Sequence, residues 1–86
     1  LFRSRDMLTT AQALQMLAEC FGAQADEIVP ARRRDAIPGW DSMGALMLMA
    51  ELDARFGVEL DPETSRAMAS VEDALAFMRL RGVLAG

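Results

Sequence analysis

One stretch, DSMGALMLMAELDARFG at residues 41–57, decides the fold. Asp41 is a good N-cap, because its carboxylate can accept a hydrogen bond from an N–H of the first helical turn. Gly57 is a good stop, since glycine readily adopts the left-handed conformation that ends many helices. The stretch therefore predicts a helix from about Asp41 to Phe56. Apolar residues cover a wider arc of this helix than packing against one core requires. Either the helix is nearly surrounded by the rest of the protein, or one of its apolar faces contacts something else.

The residues before this central helix predict a first helix and a long loop. Thr9 and Gln12 have the spacing of a capping box, which predicts a helix from Thr9 to Phe21. The connection from Ala23 to Trp40 contains proline and glycine, so no long helix fits there. The residues expected to anchor this loop in the core are Ile28, Val29 and Ile37.

The residues after the central helix predict a short helix and a final one. Asp61-Pro62-Glu63 favours a turn into a short helix with Pro62 at its first position, and the helix is expected over about Glu63 to Met68. Ser70 and Asp73 are spaced like a capping box and predict the last helix. The expected fold is all-α: a bundle of three main helices plus one short helix, with a long first loop.

The length of 86 residues predicts a single domain, residues 1–86. Met7 is a candidate native start, in which case residues 1–6 are an added or disordered segment. The alternative is that the whole chain is a domain cut from a larger synthase.

Composition argues against several classes of function. A net charge of −4 disfavours nucleic-acid binding, and no apolar run approaches the ~20 residues of a membrane span. Cys20 is the only cysteine and has no internal disulfide partner, which fits a reducing compartment, so we expect a cytoplasmic protein. The chain has no His, Lys or Tyr, which excludes a Ser-His nucleophile pair, a Schiff base and a His-containing zinc site. We therefore expect no enzyme and no metal site, with Cys20 as apolar filler.

The segment Gly39-Trp40-Asp41-Ser42-Met43-Gly44 carries the chemistry. It places a hydroxyl in the first turn of the central helix, where free N–H groups and the helix dipole favour a negatively charged group such as a phosphate ester. Asp followed by Ser is also ordinary capping, and the local sequence alone favours that interpretation. A hydrolase nucleophile elbow is excluded, because Trp40 stands where its first glycine belongs and there is no His.

From Asp41 onward the sequence resembles the acyl carrier protein family, whose mark is Asp-Ser-Leu opening the second helix. The matching segments are Asp41-Ser42-Met43, Phe56-Gly57-Val58-Glu59-Leu60 and Ser70-Val71-Glu72-Asp73. The resemblance covers nearly the whole chain. It implies that a phosphopantetheinyl transferase attaches 4′-phosphopantetheine from coenzyme A to Ser42, and that the thiol of this arm carries an acyl or aminoacyl group as a thioester. It further implies that Asp41 helps to position the transferase's metal.

The resemblance also assigns faces to the central helix. The residues expected on the partner and acyl face are Met43, Leu46, Met47 and Ala50. The residues expected to point inward are Leu48, Met49, Leu52 and Phe56. Expected partners are the transferase and the loading and processing enzymes of fatty-acid, polyketide or related biosynthesis, and the carrier is expected to be a monomer. The helix is less acidic than in fatty-acid carriers, which favours a specialised polyketide, peptide-synthetase or D-alanyl type.

Other interpretations stay open. The chain could be an unmodified helical interaction module whose apolar central helix binds a partner. An enzyme using Glu51 and Asp53 ranks last, because residues two apart on a helix do not face each other. Arg32-Arg33-Arg34 is expected to be a solvated loop run, with phosphate binding or partner choice as the alternative. Trp40 either packs the loop against the bundle or shields the arm.

Overall fold

The computed structural model describes residues 7–85, so the expectation for residues 1–6 lies outside the described residues. The described chain is mostly helical, which confirms the all-α prediction. The helices are α1 (Thr10–Phe21), α2 (Ser42–Phe56), α3 (Pro62–Ala67) and α4 (Val71–Leu80). Over residues 7–85, no helix is both long and apolar enough to cross a membrane.

The predicted ends of α1 and α2 are confirmed by their caps. Thr9 Oγ1 accepts a hydrogen bond from the Gln12 N–H at 3.1 Å, and Gln12 Oε1 accepts one from the Thr9 N–H at 2.9 Å. Asp41 Oδ1 accepts a hydrogen bond from the Gly44 N–H at 2.9 Å, which fixes the first turn of α2. Gly57 closes this helix in the left-handed conformation, with a φ of 65°.

Helices α3 and α4 begin at capping residues as well. Helix α3 starts at Pro62, the expected first helical position, because Asp61 serves as its N-cap and bonds to the Thr64 N–H; it ends at Ala67, one residue before the expected end. Ser70 Oγ accepts a hydrogen bond from the Asp73 N–H at 3.3 Å. The Asp73 carboxylate accepts a hydrogen bond from the Ala69 N–H. In a capping box this second bond would come from the N-cap residue Ser70, so it is displaced by one residue.

The first loop is longer than any helix but is anchored at several points. It contains two short 3₁₀ turns, Ala25–Glu27 and Arg34–Ala36, which the sequence did not predict. Ile28 and Ile37 are buried as expected, but the expectation for Val29 is wrong, because its side chain is 41% exposed.

The loop also caps the last helix. The carbonyls of Pro30 and Arg32 accept hydrogen bonds from the N–H groups of Glu72 and Val71, at 2.9 and 3.0 Å. The first N–H groups of a helix have no partner within the helix itself, so these loop carbonyls supply one. The segment that leads to α2 is thereby held against the start of α4.

Candidate functional site

Ser42 is the first residue of α2, and its side chain is exposed. It follows Asp41, which is exposed too and bonds to the backbone of the first turn. The first turn of any helix presents N–H groups without intrahelical partners, and the helix dipole places positive potential there. The Ser42 hydroxyl is therefore reachable, and a negatively charged group on it would lie in a favourable field.

Two glycines fix the position of this helix start. A Cβ on Gly39 would overlap the carbonyl oxygen of Phe21, at the end of α1. A Cβ on Gly44 would in turn overlap the carbonyl oxygen of Gly39. The backbones of Phe21, Gly39 and Gly44 are thus packed closer than any side chain would permit. This role was not predicted from the sequence, although a glycine inside a helical pattern lowers helix propensity and is itself a signal of close packing.

Trp40 packs the loop against the bundle, which is the first of the two roles considered for it. Its side chain is buried, and its ring stacks on that of Phe21 with centroids 4.7 Å apart and planes 15° apart. The Arg34 guanidinium carbon lies 5.1 Å from the Trp40 ring centroid, within the range of a cation–π contact. The residue before the Asp-Ser pair therefore joins α1, the loop and α2.

The expectation of a solvated arginine run is wrong for Arg34. This side chain is half-buried, and its guanidinium donates hydrogen bonds to the carbonyls of Ser65 and Met68, at 2.8 and 3.3 Å. Both carbonyls lie at the end of α3, where cations are favourable, and the Ser65 carbonyl also accepts a hydrogen bond from the Met68 N–H at 3.2 Å. Arg33, by contrast, is exposed. The run is divided, with one arginine holding α3 to the loop.

A groove of about 530 Å³ lies beside Ser42, between α2 and α3. Its lining comprises Arg34, Trp40, Asp41, Ser42, Ala45, Leu46, Met49, Pro62, Ser65 and Arg66. We call this feature the α2–α3 groove. It combines apolar residues of α2 with two arginines, Arg34 and Arg66.

The sequence matches no known family model. The resemblance drawn from Asp41 and Ser42 therefore stays a prediction, and the function is inferred from the residues around Ser42.

A second surface of α2 is apolar and exposed. Met43, Leu46 and Met47 have exposed fractions of 65, 57 and 50%, and we call these three residues the α2 apolar face. Ala50, one turn further along, is exposed as well. The alternative in which α2 is nearly surrounded is therefore wrong.

The residues expected to point inward from α2 divide into two groups. Leu48 and Leu52 are fully buried. Met49 and Phe56 are only half-buried, although both pack against the core. Met49 also lines the α2–α3 groove, so it lies between core and surface.

Glu51, Asp53 and Cys20 are the other candidate reactive groups. Glu51 forms an exposed ion pair with Arg55 at 3.5 Å, and Asp53 is exposed. Burial, and to a lesser degree the Glu51 carboxylate, raises the pKa of the Cys20 thiol to about 11. Thiolate is the reactive form of cysteine, so Cys20 is a poor nucleophile near neutral pH. Across residues 7–85 there is no group of three or more side chains suited to binding a metal ion.

Proposed function

We propose that the chain is a monomeric carrier protein of the acyl carrier type, bearing 4′-phosphopantetheine on Ser42. The observation that carries the proposal is the exposed Ser42 hydroxyl at the start of α2, with a groove on one side and an exposed apolar face on the same helix. The all-α fold with a long first loop before α2 supports the proposal.

In the proposed attachment, the Ser42 hydroxyl oxygen attacks the pantetheine-linked phosphorus of coenzyme A. A new P–O bond forms to Ser42, the pyrophosphate P–O bond breaks, and 3′,5′-adenosine diphosphate leaves with the bonding electrons. The serine proton passes to a base of the transferase, since this chain has no His or Lys to accept it. The first-turn N–H groups of α2 favour the charge of the phosphodiester that results.

The attached arm would supply a thiol that holds an acyl or aminoacyl group as a thioester. This division of labour suits a chain without His, Lys or Tyr, whose one cysteine has a raised pKa. In this proposal the chain is not an enzyme. It fixes the arm's anchor in space and presents it to enzymes that act on the cargo.

We assign the α2 apolar face to partner docking. Exposed apolar side chains that lie together commonly mark protein contacts, and methionine adapts to differently shaped surfaces. Docking here would depend on apolar burial more than on charge, because Met43, Leu46 and Met47 carry no charge. This favours a specialised carrier of polyketide, peptide-synthetase or D-alanyl type over a fatty-acid carrier.

The test is incubation of the chain with coenzyme A and a phosphopantetheinyl transferase of broad specificity, followed by intact mass measurement. We expect the mass of one phosphopantetheine to be added to the wild type and to Ser70→Ala, and not to Ser42→Ala. Ser70 is the matched control because it also stands at a helix start, but it is half-buried and caps α4. An unmodified wild type would contradict the proposal.

The second candidate is a helical interaction module that is never modified. The α2 apolar face favours it, since such a face can bind a partner without any cofactor. This candidate predicts no mass change with the transferase and loss of the partner on Met47→Glu.

A further inference from the structure

The methionines of the chain differ widely in exposure, and the two most exposed lie together on α2. Met43 and Met47 are 65 and 50% exposed, whereas Met16, Met68 and Met78 are at most 6% exposed. Residues four apart on a helix lie on the same side of it, so both exposed thioethers belong to one stretch of the α2 apolar face. Two reachable sulfur atoms therefore stand about one helical turn apart on the surface assigned to docking.

The chemistry open to an exposed thioether is oxidation to a sulfoxide. Its sulfur lone pair reacts without loss of a proton, so the reaction does not depend on a pKa. Cys20 is the competing sulfur, because it lines a small cavity of about 90 Å³ together with Met47. A thiol reacts as the thiolate, and burial raises the pKa of Cys20 to about 11, so little thiolate exists near neutral pH. The thioethers are thus the sulfur atoms of this surface that a peroxide oxidises.

Oxidation of these two residues changes the character of the α2 apolar face. Methionine sulfoxide is polar where the thioether is apolar, so burial of the oxidised side chain in a protein contact costs free energy. Because Met43 and Met47 are exposed, their sulfoxides place no polar group in the core and leave the fold intact. Methionine sulfoxide reductases restore the thioether, so the change is reversible.

We propose that Met43 and Met47 form a reversible oxidation site that switches off docking on α2. Each sulfur takes one oxygen atom from hydrogen peroxide: an S–O bond forms, the peroxide O–O bond breaks, the sulfur loses two electrons, and the second peroxide oxygen leaves as water. In the reverse step, two thiols of a reductase become a disulfide and the sulfoxide oxygen leaves as water. The site itself rests on exposure, and its effect on docking rests on the proposed function.

The first test measures which methionines are oxidised by dilute hydrogen peroxide near neutral pH. Cleavage after arginine separates the peptide 35–55, which contains the exposed pair, from the peptide 67–79, which contains two buried methionines. Fragmentation distinguishes the pair from Met49 in the same peptide. We expect Met43 and Met47 to be oxidised at least about tenfold faster than the buried methionines, because these react only when the fold opens. Equal rates in the two peptides, or Met49 oxidised first, would overturn the site.

The second test measures kcat/KM of the phosphopantetheinyl transferase on the untreated chain, on the oxidised chain, and on the oxidised chain after reduction. Both methionine sulfoxide reductases are needed, since each reduces one of the two sulfoxide epimers. We expect kcat/KM to fall by about tenfold on oxidation, because two apolar side chains of the contact become polar, and to return on reduction. The circular dichroism spectrum of the oxidised chain should match that of the untreated chain.

The control is the double variant Met43→Leu/Met47→Leu, which keeps the face apolar but removes both thioethers. Peroxide should leave kcat/KM of this variant at its own untreated value. Met68→Leu removes a buried methionine instead, and this variant should lose kcat/KM on oxidation as the wild type does. An equal loss in the double variant and the wild type would overturn the switch, because the loss would then come from oxidation elsewhere.

The failures of the two proposals are distinguishable. A kcat/KM unchanged by oxidation of both methionines would overturn the switch and leave the carrier proposal standing. If the untreated wild type gains no phosphopantetheine, the carrier proposal fails and the effect on docking fails with it, whereas the peptide masses still decide the oxidation site.

Discussion

The variant Gly44→Ala tests whether close packing or helix propensity determines which residue is more stable at position 44, at the start of α2. Propensity alone predicts that alanine stabilises a helix by about 1 kcal/mol relative to glycine. In the structure the added Cβ would overlap the Gly39 carbonyl oxygen and lie 3.0 Å from Phe21 Cδ1. The blocking oxygen is backbone, and Gly39 is itself packed on Phe21, so relief requires the loop to shift. Overpacking costs about 1–3 kcal/mol. We take the upper end of this range, because the blocking atom is backbone, and subtract the gain in helix propensity of about 1 kcal/mol. The free energy of unfolding should therefore fall by about 2 kcal/mol.

The assay is urea unfolding followed by circular dichroism. The matched control is Ala54→Gly, an exposed position of the same helix, where we expect a loss of about 1 kcal/mol from propensity alone. Alanine should thus be the better residue at position 54 and the worse one at position 44. A Gly44→Ala variant more stable than the wild type would refute the packing argument.

Three further outcomes follow from the same structure. Arg34→Ala should lower the free energy of unfolding by about 1–3 kcal/mol, because two hydrogen bonds from a charged group are lost. The control Arg33→Ala, at an exposed position, should change it by less than about 0.5 kcal/mol, and equal effects would contradict the role of Arg34 in holding α3 to the loop. At pH 8 the raised pKa of Cys20 should slow its alkylation about a hundredfold relative to an ordinary thiol, and alkylation at the ordinary rate would show that burial does not suppress the thiolate. Met47→Glu should lower kcat/KM of the transferase, and an unchanged kcat/KM would show that Met47 is not part of the docking surface. The free energy of unfolding should change by less than about 0.5 kcal/mol, because Met47 is half-exposed.

The ends of the helices could be predicted because they depend on neighbouring residues. The capping box of Thr9 and Gln12, the N-cap Asp41 and the stop Gly57 all act within a few positions along the chain. The burial of Leu48 and Leu52 likewise follows from helical spacing. The position of Ser42 at an exposed helix start could be predicted on the same local grounds.

Contacts between distant segments could not be predicted. Arg34 bonds to α3 because that helix ends beside the loop. The residues next to Arg34 in the sequence do not predict this contact. Gly39 is required by the Phe21 carbonyl at the end of α1, and Gly44 by the Gly39 carbonyl. The α2–α3 groove, with Ser65 opposite residues of α2, exists only once the chain is folded.

The most direct measurement locates the modification on the chain. Trypsin cleaves after arginine, and the peptide of residues 35–55 contains Ser42 as its only hydroxyl-bearing side chain. After incubation with the transferase and coenzyme A, we expect this peptide to gain the mass of one phosphopantetheine and a free thiol. A peptide 35–55 of unchanged mass, or an added mass found instead on the Ser70 peptide of residues 67–79, would contradict the assignment of Ser42 as the anchor.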